Sequence, residues 1–130
     1  MTKEQFKGLP HLLAEADVVA LGYSPSTIGK FVDCGVLVKI KPAGTSVARY
    51  QKKQLAQLLK WESLLDTAEF LKEPLFMQIK AVHRWTGYSE MTLSAIGKAG
   101  EVGFVKPPGA GAAKFLKADV ARLIGFEQFV

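Results

Sequence analysis

Apolar positions in the first half of the chain change period more than once. Leu12, Leu13, Ala16, Val19 and Ala20 recur at helical spacing, and Gly22 ends that run because it tolerates a left-handed backbone. Ser24 then supplies a side-chain acceptor for a new helix start and Pro25 a pre-set first residue. The pattern predicts a second short helix over residues 25–34, with Ile28, Phe31 and Val32 inward and Gly35 at its end. Residues 36–41 alternate and are β-branched, 42–45 read as a turn, and 47–50 as the return strand of a hairpin. Leu55, Leu58, Leu59 and Trp61 resume helical spacing and predict a helix that closes over the unit.

The same succession returns 65 residues later. Gly22-Tyr23-Ser24 reappears as Gly87-Tyr88-Ser89, and that offset also pairs Ala16 with Ala81, Thr27 with Thr92, Gly35 with Gly100, Lys41-Pro42 with Lys106-Pro107 and Glu62 with Glu127. The second copy predicts a helix over 77–85, a helix capped by Ser89, a hairpin over 102–115 around the turn 107–111, and a closing helix from about Lys117. The turn is rich in Gly and Pro, so this hairpin is expected to be the more mobile one. Two units, 1–62 and 76–130, are expected on either side of a helical, acidic connector, 63–75. Neither unit is large enough to bury a generous core, so the two should lean on each other.

Composition narrows the classes. Of 130 residues 48% are hydrophobic and 22% charged, which suits a folded chain rather than a disordered one. No apolar run approaches the roughly 20 residues a membrane span needs, and residues 1–10 lack a secretion signal, so no membrane partner and a cytoplasmic location are expected. The single cysteine, Cys34, can form neither an internal disulfide nor a thiolate metal site, and its match to Ala99 suggests a small buried position. The net charge of +5 favours a polyanionic partner. Residues 39–60 contain no acid at all, which places the positive charge on the hairpin and closing helix.

Two short helices, a hairpin and a closing helix in this order resemble the MerR-type and excisionase-type winged helix-turn-helix family. Leu21, Gly22, Ser24, Thr27, Ile28, Gly35, Leu37, Gly44, Arg49, Tyr50, Leu55 and Leu58 carry the resemblance in the first unit. In the second they are Gly87, Ser89, Thr92, Leu93, Gly100, Val102, Gly109, Lys114, Phe115 and Val120, with Thr86 in place of the leucine. The resemblance implies a mainly α fold with small β-hairpin wings, built as two tandem winged helix-turn-helix units. It also implies that the second helix of each unit enters a DNA major groove while the wing grips the backbone. Groove-facing positions would be Ser26, Thr27 and Lys30, then Met91, Thr92 and Ala95; wing contacts would be Lys39, Lys41, Arg49 and Lys52, then Lys106, Lys114 and Lys117. Pro25 and Glu90 stand where relatives carry a basic residue, and the second unit's helix offers no base-reading side chain on its outer face.

Other conspicuous residues read as structure. His83, opposite Val18 at this offset, has no partners at ligand spacing; Tyr23 and Tyr88 suit packing or a hydroxyl-to-phosphate contact; Trp61, Phe126 and Trp85 suit the core or the contact between units. No nucleophile-base set, carboxylate pair or phosphate-cradling loop points to an enzyme, and no cofactor is called for. The expectation is a sequence-specific double-stranded DNA-binding protein, a small bacterial, phage or plasmid transcription regulator or excisionase-like recombination factor. The alternative is a winged-helix scaffold reused for protein-protein binding, as a phage-encoded inhibitor or assembly component; besides double-stranded DNA, the partners expected are a protein or a second copy through the second unit.

Overall fold

The computed structural model describes residues 1–42, 48–105 and 113–129. The chain runs α1 (Lys3–Lys7), β1 (Leu12–Leu13), α2 (Glu15–Ala20), α3 (Pro25–Asp33), β2 (Lys39–Ile40), β3 (Arg49–Gln51), α4 (Lys52–Leu59) and a 3-10 turn (Glu62–Leu64). It then passes through the same kinds of element again: α5 (Thr67–Leu71), β4 (Phe76–Gln78), α6 (Ile79–Thr86), α7 (Glu90–Lys98), β5 (Phe104–Val105), β6 (Lys114–Leu116), α8 (Lys117–Ile124) and a second 3-10 turn (Glu127–Phe129). Among the described residues the architecture is mixed α/β, with two three-stranded antiparallel sheets, rather than the mainly α one expected.

The difference lies in Leu12 and Leu13, which helical spacing assigned to a helix. They form β1 instead, pairing Leu12 with Gln51 and Leu13 with Tyr50, so β3 lies between β1 and β2. β4 does the same for the second hairpin, pairing Met77 with Phe115. A two-stranded ribbon is marginal alone. The third strand occupies the open edge of each hairpin and buries Leu12, Leu13 and Met77. Helix starts follow expectation: Ser24 and Ser89 each accept from the backbone N–H three residues on, both at 3.2 Å.

The repeat extends further toward the N-terminus than its glycines suggested. Lys3–Lys7 and Thr67–Leu71 correspond, but at an offset of 64, which also matches buried Phe6 with Phe70, Leu13 with Met77 and Val18 with Val82. From Gly22 onward the offset is 65, and the positive-φ residues Gly22, Gly35 and Lys60 recur as Gly87, Gly100 and Gly125. The extra residue lies in α6, which has 8 residues against 6 in α2. The stretch 63–75 therefore contains the counterpart of the opening helix, and Val82, not His83, stands opposite Val18.

The two repeats meet along a seam formed by different faces of each. His11 donates its backbone N–H to Trp85 O at 2.8 Å, and its ring packs against Trp85 and Phe126 with centroids 4.9 and 5.1 Å away. Gln51 Nε2 reaches Leu123 O at 3.0 Å, and Lys53 Nζ reaches Gly125 O at 2.8 Å. These donors satisfy carbonyls at the end of α8 that have no partner within the helix. Trp85 and Phe126 thus stand at the contact between repeats.

Candidate nucleic-acid interface

The α2–α3 pair is joined by a tight turn at Gly22, and α3 starts at Pro25 with Ser24 as its cap. Ile28 points into the core, which leaves Ser26, Gly29 and Lys30 exposed on the opposite side. Thr27 is half-buried, and its hydroxyl lies 3.0 Å from Ser24 Oγ. Thr92 does the same with Ser89 at 2.9 Å. Both threonine hydroxyls are thus held by the helix cap, while Ser26 and Lys30 remain exposed on α3. On α7, Met91 is exposed and Ala95 half-buried. Cys34 is exposed at the end of α3, not buried as its match to Ala99 suggested, with Sγ turned toward Phe31 O at 3.5 Å.

The hairpin cations divide into two groups. Lys39, on β2, and Lys41, just past its end, are both exposed. They border a groove of about 290 Å³ whose other wall holds Glu101, Asp119 and Arg122, so the first hairpin leans toward the second repeat. Lys114 is half-buried on β6. Lys106 and the two hairpin turns, 43–47 and 106–112, lie outside the described residues. Arg49, also half-buried, has its guanidinium 5.4 Å from the centre of the Tyr88 ring across the seam. Tyr88 is correspondingly buried, and burial pushes its hydroxyl up to about 12. Packing, not phosphate, engages that tyrosine.

Lys52 and Lys117 are corrections to the phosphate-binding set. Both are buried at the first position of a closing helix. Lys52 Nζ donates to Lys7 O and Leu9 O at 3.1 and 2.8 Å and lies 5.0 Å from the centre of the Phe6 ring. Lys117 Nζ repeats this on Leu71 O and Glu73 O at 2.7 and 2.9 Å, beside Phe70. Each ammonium clasps the carbonyl end of a short helix, where the last carbonyls have no partner within the helix. Burial lowers the Lys52 ammonium to about 8, with Asp66 opposing the shift. Sequence alone counts a lysine as a solvent cation, and the signal available was the recurrence of Lys52 as Lys117 at a helix start. Of the seven basic side chains between residues 11 and 62, four are exposed: Lys30, Lys39, Lys41 and Lys60.

No family model, curated protein or solved structure matches the chain.

A second concavity, about 440 Å³, opens between α1, α5 and α6, where Lys7, Lys72 and Arg84 face Asp66, Glu69 and Glu73. Its charges are mixed and largely self-neutralising, with Lys72 within 3.8 Å of Glu69. Among the described residues no three His, Cys, Asp or Glu side chains stand together as a metal site, and no helix is long and apolar enough to cross a membrane.

Proposed function

We propose that the chain is a non-enzymatic, sequence-specific double-stranded DNA-binding protein built from two tandem winged helix-turn-helix units, with the first unit as the principal contact. The observation that carries this reading is the pairing, on one repeat, of an α3 with an open polar face and a hairpin arm with two exposed lysines, one on β2 and one just past its end. Ser26 and Lys30 lie on the former, Lys39 and Lys41 on the latter. A capped helix of 9 residues fits a major groove, while exposed lysines on and just beyond the neighbouring strand reward a phosphate backbone by displacing its counterions. The role suits a small transcription regulator or an excisionase-like recombination factor. With Lys52, Lys117 and Arg49 engaged inside the protein, the electrostatic footprint is smaller than the net charge suggests, and a modest salt dependence follows.

Anisotropy of labelled duplexes selected from a random pool, titrated at about 50 to 200 mM salt, tests this. Lys39→Ala with Lys41→Ala should weaken binding and reduce the slope of log affinity against log salt by about 0.9 for each phosphate no longer neutralised. Lys52→Met should leave that slope unchanged. Absence of duplex binding at the lowest salt refutes the reading. A protein-binding role for the second repeat is favoured by one specific feature, the exposed Met91 on the outer face of α7 beside Glu90, where a DNA-reading helix carries donors.

A further inference from the structure

The seam between the repeats is head-to-tail: one face of the first repeat sits on a different face of the second. Because the repeats are equivalent, the chain retains an unused copy of each face. The burial of matched positions makes this visible. His11 is 3% exposed and its counterpart Leu75 is 72%; Leu12 is 0% exposed and its counterpart Phe76 is 53%. On the opposite face Phe126 is fully buried, whereas its counterpart Trp61 is only half-buried and the neighbouring Leu58 is exposed.

We propose that the Leu75–Phe76 face of one chain docks on the Tyr23–Leu58–Trp61 face of a second copy, repeating between chains the contact made within each. Matched residue pairs across the seam support that occupant. Pro10 packs so closely on Gly87 that a Cβ there would come within 2.8 Å of its Cγ; the corresponding pair is Pro74 and Gly22, and Gly22 has open space around it. The cation over a tyrosine is kept, with Lys114 and Tyr23 standing where Arg49 and Tyr88 stand.

Where one partner changes, the other changes with it. A Cβ at Gly125 would lie 2.7 Å from Gln51 Oε1, and the matching position is Lys60, which has a Cβ. Its counterpart of Gln51 is Leu116, whose side chain is one atom shorter. Lys53, which donates to Gly125 O, is replaced by Ala118, so no second lysine faces Lys60. The bond from His11 N–H to Trp85 O uses only main-chain atoms, and Leu75 supplies the same donor. A contact of this kind does not close on itself, so it grows with concentration into longer chains rather than stopping at a symmetric dimer.

Light scattering after size exclusion, on the full chain without DNA from about 5 to 500 µM, reads the outcome over the range of a weak protein contact. The expected result is a mass average that rises from 14.2 kDa with concentration. Leu75→Glu and, separately, Leu58→Glu should each hold the protein monomeric, with circular dichroism confirming that both fold. Mixing the two variants should restore a dimer that grows no further, because each supplies the face the other lacks. A wild-type chain that stays monomeric throughout overturns the proposal. So does a Leu58→Glu chain that still associates, which would mean a two-fold contact through Leu75–Phe76 alone, or a mixture that remains monomeric. Where one glutamate unfolds the protein, Phe76→Lys or Tyr23→Glu replaces it on the same face.

Discussion

Lowering the pH from 7 to 5 puts a charge at risk inside the seam. His11 is buried between Trp85 and Phe126, and burial, helped by the nearby Lys52 ammonium, lowers its imidazole from 6.5 to about 3, against a small opposing effect of the Trp85 carbonyl. In the unfolded chain the ring titrates near 6.5, so between these values only the unfolded state binds the extra proton. Stability is therefore complete above about pH 6.5 and falls as pH drops toward 3. Over the 1.5 units between 6.5 and 5, at about 1.36 kcal/mol per unit, the loss is about 2 kcal/mol. Urea unfolding at pH 7, 6 and 5 measures it, compared with His11→Leu, which places at position 11 the residue the second repeat carries at 75. The variant should lack about 2 kcal/mol of the pH dependence, every other group being common to both proteins. Identical dependence in the two would show that His11 is not desolvated by the seam.

Lys52→Met and Lys117→Met should each destabilise the fold by about 1.5–3 kcal/mol in urea, since each strips a charge-assisted donor from two main-chain carbonyls. Wild type should also gain stability as pH rises from about 8 toward 10.5, where the unfolded Lys52 ammonium still holds a proton that the folded one has lost; Lys52→Met should not. Gly87→Ala should destabilise more than Gly22→Ala by thermal melting, because both force a side chain into a left-handed backbone but only Gly87 meets Pro10. Equal effects would remove Pro10 from the account.

Much of the fold was legible because glycines and caps mark it. Gly22, Ser24 and Gly35, with their copies, place α3 and α7 within a residue or two of where spacing puts them. Strand β1 was not legible: Leu12 and Leu13 fit a helical stripe as well as a strand, and only the open edge of β3 decides between them. The correspondence of α1 with α5 was hidden by the residue added in α6, which breaks the offset, and by the lack of glycine between residues 63 and 75. The candidate interface was half legible. Lys30, Lys39 and Lys41 are exposed as cations usually are, but charge counting cannot tell Lys52 from Lys53, adjacent residues of which one is sealed inside and the other bridges the repeats. That distinction comes from tertiary hydrogen bonds over 43 and 72 residues.

The lysine clasps also bear on how the chain comes together. Each ties the end of a short opening helix to the start of a closing one, across 45 residues from Lys7 to Lys52 and 46 from Leu71 to Lys117. Loop-closure entropy grows only with the logarithm of length, so these two closures impose nearly the same chain-entropy penalty. Neither repeat is topologically favoured to form first. Any order of assembly must then arise from what the repeats do not share, and the seam is one such difference: Phe70 of the second repeat already packs on Trp85 and Phe126, and His11 of the first adds a further ring to that cluster.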